Sequence, residues 1–196
     1  MPAAMVSQRI TGEDLLALPD DGVQRWLIRG ELREKHPAPG EQSMTIRNRW
    51  HSRIMATIAK CLGIWRDSQP LPRGEVLCGE AGVRLSRDPE TTVGIDVGYV
   101  SPEVVARQND ETTIIDGVPL LVVEILSPSD TTVEIEEKTN LYLAAGVALI
   151  WIVNPYRRTV TVIRPHAAVR IVNENELLTG DDVLPGFKVL VAELLG

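Results

Sequence analysis

With 196 residues, 44% of them hydrophobic and 24% charged, the chain is long enough to bury one core without disulfide or metal staples, and no apolar run approaches the roughly 18 residues of a membrane span. The N-terminus has neither the basic start nor the apolar stretch of a signal peptide, and Cys61 and Cys78 sit in unrelated contexts. A cytoplasmic protein is therefore expected, with structural cysteines rather than a zinc site. The net charge of −7 speaks against a protein that coats nucleic acid, because phosphate binding relies on Lys and Arg displacing counterions; a local basic patch such as Arg47, Arg49 and Arg53 is where a polyanion could still be met.

Thr11, followed by Asp14 just before Leu15 and Leu16, predicts a short capped helix that Pro19 closes. Residues 1–20 then read as a helical appendage to a single domain spanning 1–196. From Arg25 to Arg33, Trp26, Ile28, Gly30 and Leu32 alternate with the remaining positions, which predicts one half-exposed strand with Glu31 on its mainly polar face. Residues 36–43 read as a loop, and Ile54, Met55, Ile58, Ala59, Leu62 and Trp65 recur at helical spacing, predicting a long amphipathic helix from about Thr45 with His51 near the start of its stripe.

After Gly74 three short strands are expected, at 75–79, 82–86 and 94–101, the last containing Asp96. A polar, mobile connector over 102–117 leads to residues 121–126, LVVEIL, which read as a central buried strand carrying Glu124. Glu134 to Ala145 predicts a helix ended at Gly146, followed by the apolar strand ALIWIV at 148–153, so that strand, helix and strand suggest a right-handed βαβ crossover. Residues 159–163 and 169–172 read as hairpin strands, and 183–196 as a closing strand or short helix.

An ionised carboxylate in a buried strand costs several kcal/mol unless it is compensated, and alternation puts Glu124 on the face of Val122 and Leu126. Asp96, from a neighbouring strand, would complete the oxygen-rich, partly hydrated seat that Mg²⁺ prefers. Lys138 interrupts the inward stripe of Ile135, Leu141, Tyr142 and Ala145, where its ammonium could orient water and stabilise the charge that grows in phosphodiester hydrolysis. Spacing alone leaves a second reading open, in which Glu124 and Lys138 form an internal ion pair and Asp96 marks a turn. Single aromatics such as Trp26, Tyr142 and Trp151 are read as core rather than as base-stacking platforms.

The run VVEILSPS at 122–129, Lys138 within EEKTNLYLAAGV at 136–147 and IWIVNP at 150–155 together resemble the signature of the Uma-two family of restriction-endonuclease-like proteins, within the PD-(D/E)XK nuclease superfamily. RWLIRGELRE at 25–34 and RWHSRIMATIAKCL at 49–62 resemble the family's early acidic strand and its first long helix, so only the extreme N-terminus falls outside. The resemblance implies a restriction-endonuclease-like α/β core, a mixed central sheet flanked by helices, with Mg²⁺ or Mn²⁺ held by Asp96, Glu124 and the backbone carbonyl of Ile125. It gives the superfamily lysine's role to Lys138, since Leu126 fills the usual position, and adds Glu31 as a further acidic site residue. His51 would match the family's helix histidine, although a lone histidine beside an apolar stripe is more often a core-edge residue. With Arg47 and Arg53 it completes the candidate substrate-binding set. Ile95 in place of the motif proline, Glu134 in place of Asp and Asn154 in place of Asp depart from the family pattern without removing a proposed ligand.

These residues imply a Mg²⁺-dependent endonuclease acting on DNA, for which a homodimer would place one site on each strand of a duplex. Two rivals are a catalytically inactive relative that binds nucleic acid or protein, which the acidic balance favours, and a structural protein in which the charged trio only fixes a buried network.

Overall fold

The computed structural model describes residues 9–19, 21, 23–35 and 48–196. The short helix α1 (Gly12–Leu16) starts from the expected capping box, Thr11 and Asp14 each accepting from the other's backbone N–H. Buried Arg84 fastens α1 to the sheet, donating to Glu13 and to Glu90 at 2.9 Å each, while Glu90 also accepts the Gly12 amide.

The predicted strand at 25–33 is a hairpin: β1 (Gln24–Ile28) and β2 (Glu31–Lys35) pair antiparallel, Ile28 opposite Glu31. Arg29 and Gly30 form its two-residue turn, with φ of 54° and 78°. Two successive left-handed residues match the twist of a tight hairpin, a requirement that alternation of apolar residues does not reveal.

Helix α2 (Arg49–Asp67) begins later than expected, with Asn48 capping it by accepting the His51 amide at 2.9 Å; residues 45–47 lie outside the described residues. Its stripe of Ile54, Ile58, Leu62 and Trp65 is buried as its spacing requires. Two of the three predicted short strands are one, β3 (Glu75–Arg87), paired antiparallel with β4 (Glu90–Val100). The break expected at Glu80 and Ala81 is instead a bulge of Gly79 and Glu80 within it. The expected mobile connector holds α3 (Pro102–Val105), capped by Ser101 with Pro102 at its first position, and β5 (Ile115–Asp116), parallel to β3.

The buried strand β6 (Leu121–Ile125), helix α4 (Thr132–Ala145) and β7 (Leu149–Asn154) follow as predicted, β6 and β7 running parallel. Helix α4 starts from a Thr131–Glu134 capping box and ends at Gly146, whose φ of 95° is the left-handed stop. Strands β8 (Thr159–Ile163) and β9 (Arg170–Asn173) complete an antiparallel edge. The chain closes with β10 (Leu177–Thr179), β11 (Lys188–Leu190) and α5 (Val191–Leu195), so that the final segment is both strand and helix.

The described strands form a mixed sheet in the order β2-β1-β4-β6-β7-β8-β9, with β3 paired to β4 and β5, beside the small β10-β11 sheet. One face packs Ile54, Ile58 and Leu62 of α2 and Leu194 of α5 against Leu121, Val123 and Trp151. The other packs Tyr142 of α4 against Val122, Ile150 and Ile152. Among the described residues no helix is long and apolar enough to cross a membrane.

Candidate metal centre

The central sheet opens where the chemistry collects. Strands β4 and β6 pair from Tyr99↔Leu121 to Val97↔Val123. One residue further on, the Asp96 side chain takes over, its Oδ2 accepting the Ile125 amide at 2.7 Å. On the opposite edge of β4, Gly79 and Glu80 of β3 face the single residue Asp96, because Cys78 pairs with Val97 and Ala81 with Ile95. A two-against-one bulge bends and twists its strand. Accordingly, Ile95 packs with the α4 cluster and Val97 with the α2 cluster, a reversal that strict alternation forbids. Asp96 sits at this twist and is 4% exposed.

Glu124 is 6% exposed, on the α4 face of β6 as alternation predicts. Lys138 Nζ lies 2.9 Å from its Oε2, and the Tyr142 hydroxyl donates to its Oε1 in a short contact. The spacing of 138 and 142 is one helical turn, so both donors descend on one carboxylate from the same face of α4. Burial pushes the Glu124 carboxyl above its ordinary value; Lys138 opposes the rise and the charge of Asp96 adds to it. Burial works against the Lys138 charge, yet Glu124, Asp96 and Asp130 outweigh it and raise its pKa. Burial, and then Glu124, hold the Tyr142 hydroxyl protonated well beyond the usual range.

His51 is buried in the first turn of α2, its Nε2 3.2 Å from Asp96 Oδ1, while its Nδ1 has no partner among the described residues. At 4% exposed it is a buried partner of Asp96. Arg53, another substrate-binding candidate, instead donates to the carbonyls of Leu195 at 2.6 Å and Gly196 at 3.2 Å, tying α2 to the C-terminus. Glu31 is the residue the fold leaves out. It stands at the turn end of the β1–β2 hairpin, 62% exposed and paired with Arg33, while Leu27↔Thr92 puts the Asp96 level towards the other end of β1. Arg47 lies outside the described residues.

Tyr142 is the site residue that pattern reading assigned to packing alone. Its ring is core, fully buried, and its hydroxyl is at the centre. A polar tip on an aromatic one turn beyond Lys138 is the signal that marks it. Trp151 is packing, tilted on Phe187 at 5.4 Å. Cys61 and Cys78 are free thiols.

Two buried carboxylates meet here, Glu124 paired with the Lys138 ammonium and Asp96 with the His51 imidazole. Among the described residues no group of three or more His, Cys, Asp and Glu side chains is arranged to hold a metal. A hard divalent cation that keeps several waters and takes only one or two carboxylates does suit this donor set.

The whole-chain comparisons agree with this architecture. The model of the Uma2 family, described as "Putative restriction endonuclease", matches residues 13–192. A crystal structure of a "putative nuclease belonging to DUF820" from Anabaena variabilis superposes with a TM-score of 0.73 at 18% identity, over 95% of this chain and 97% of that one. At that identity the likeness establishes the fold, a restriction-endonuclease-like mixed sheet flanked by helices. No curated protein matches the chain.

Proposed function

The chain belongs to the Uma2 family of restriction-endonuclease-like proteins, and from that premise we propose that it is a Mg²⁺- or Mn²⁺-dependent endonuclease hydrolysing phosphodiester bonds in DNA. The observation that carries the reading is the convergence of Asp96, Glu124 and Lys138 at the fork between β4 and β6, two buried carboxylates with one ammonium between helix and sheet. Asp96, Glu124 and the carbonyl of Ile125 would hold the cation. A bound cation of this class supplies charge stabilisation for phosphoryl oxygens and a more acidic water.

The chain's own groups divide the remaining work. Tyr142 and Lys138 fix both oxygens of Glu124, so that the carboxylate is oriented before a ligand arrives. His51 and the Ile125 amide do the same for Asp96. Lys138, 27% exposed, gives one hydrogen bond among the described residues, to Glu124, and has two further N–H donors. These can point the attacking water at phosphorus and stabilise the negative charge that grows on the phosphoryl oxygens.

Incubating the purified chain with plasmid, single-stranded and branched DNA in Mg²⁺ or Mn²⁺ tests the proposal. Cleavage is expected with wild type and absent with Asp96→Asn, Glu124→Gln and Lys138→Ala. DNA binding without cleavage would leave a catalytically inactive nucleic-acid-binding module.

A further inference from the structure

A cavity of about 430 Å³ opens beside the centre, between α1, the β1–β2 hairpin and the N-terminal half of α4. Its lining is mostly apolar, with Leu16, Trp26, Ile114 and Ile135 in it, and includes Lys138, the residue that also contacts Glu124. Lys35 lines it too, 2.6 Å from Asp130. Leu16 is 53% exposed and Trp26 half-buried, so the apolar wall is reachable from solvent.

Three features of this cavity narrow what it can hold. Its volume falls in the range of small-molecule sites, far below what a duplex occupies. Four carboxylates line it, Glu134 and Glu137 of α4 among them, against the three cations Arg25, Lys35 and Lys138, a balance that disfavours a phosphate in its interior and suits an uncharged group there. An aromatic face among aliphatic side chains suits a planar base, whose stacking tolerates any sequence. A chain of net charge −7 also gains little from general attraction to DNA, so base stacking would supply affinity that charge does not.

We infer that this cavity receives the base of an unpaired deoxynucleotide next to the scissile phosphate, making single-stranded, bulged or flipped DNA the preferred substrate over fully paired duplex. The inference rests on the nuclease reading above. A paired base cannot enter without leaving its stack, a cost that unpaired nucleotides avoid.

Fluorescence of 2-aminopurine tests it without turnover. The intact chain, in EDTA, is titrated into a single-stranded oligodeoxynucleotide, a duplex with one unpaired 2-aminopurine and a fully paired duplex. Quenching and at least tenfold tighter binding are expected for the first two. The preference should vanish in Leu16→Trp, which fills the cavity from its exposed edge, and in Trp26→Ala. Mn²⁺ titration of Leu16→Trp should match wild type, showing a folded chain with its centre intact. Equal affinity for all three DNAs, or a preference that survives Leu16→Trp, overturns the inference. Loss of Glu124-dependent cleavage on every DNA would instead remove the nuclease reading, which separates the two failures.

Discussion

Asp96 and Ile125 are joined by a side-chain-to-backbone hydrogen bond of 2.7 Å at the point where β4 and β6 part. Asp96 therefore has two duties, as a structural acceptor and as a charge. Asn retains the acceptor and removes the charge, whereas Ala removes both and leaves a buried N–H without a partner, which costs about 1–3 kcal/mol. Asp96→Asn is expected to remain folded with Mn²⁺ affinity down at least tenfold, and Asp96→Ala to be less stable than Asp96→Asn by that margin. Urea unfolding beside calorimetric Mn²⁺ titration measures both; equal stabilities would show that the Ile125 contact contributes nothing.

Removing the Tyr142 hydroxyl keeps a ring that is fully buried while taking one donor from a buried carboxylate. Hydrogen bonds to charged groups contribute roughly 1.5–3 kcal/mol, so Tyr142→Phe should lose stability of about that size. The loss should shrink when Glu124→Gln is already present, and a double-mutant cycle reads the coupling.

Metal-free stability should fall as pH rises. Burial raises the folded-state pKa of Glu124 above its ordinary 4.5, so the folded chain holds a proton that the unfolded chain has released. The resulting stabilisation is complete below 4.5 and is lost as pH climbs through the raised value. Lys138, also raised, keeps its stabilising charge throughout that window and surrenders it only at alkaline pH. Urea midpoints across pH should decline in wild type over the Glu124 window and run flatter in Glu124→Gln; identical slopes would contradict the assignment.

Divalent cations should reverse that decline. A ligand that binds only the folded state adds about 2.7 kcal/mol at one hundred times its Kd, and it must displace the Glu124 proton, so the gain should grow with pH. Thermal unfolding with and without Mg²⁺ or Mn²⁺ checks this. A melting temperature indifferent to metal at every pH would favour the rival in which the charged trio only fixes a buried network.

Arg53→Ala should cost roughly 1 kcal/mol of stability through loss of its contacts to Leu195 and Gly196. DNA affinity should be unchanged. A selective loss of DNA binding at constant stability would return Arg53 to the substrate surface.

Much of this protein is legible locally. Capping boxes at Thr11 and Thr131, the stripe of α2, the left-handed stop at Gly146 and the apolar run around Glu124 each follow from a few neighbouring residues. The expected strand at 25–33 failed because a hairpin turn of Arg29 and Gly30 depends on backbone sign, to which alternation is blind. The expected break after Gly79 failed because a bulge and a turn use the same residue types and differ only in what lies across the ladder.

By itself, then, the sequence determined that Glu124 is buried, that it needs a counter-charge and that Lys138 faces inward, because burial and helical phase are periodic properties of short segments. Tertiary structure alone decided that Tyr142 and Lys138 share the same carboxylate, that the β3 bulge turns β4 at Asp96, that Glu31 stands away from the centre and that Trp26 lines a cavity next to it. Those relationships join residues distant along the chain, and no local period carries the position of a strand relative to a helix that crosses it.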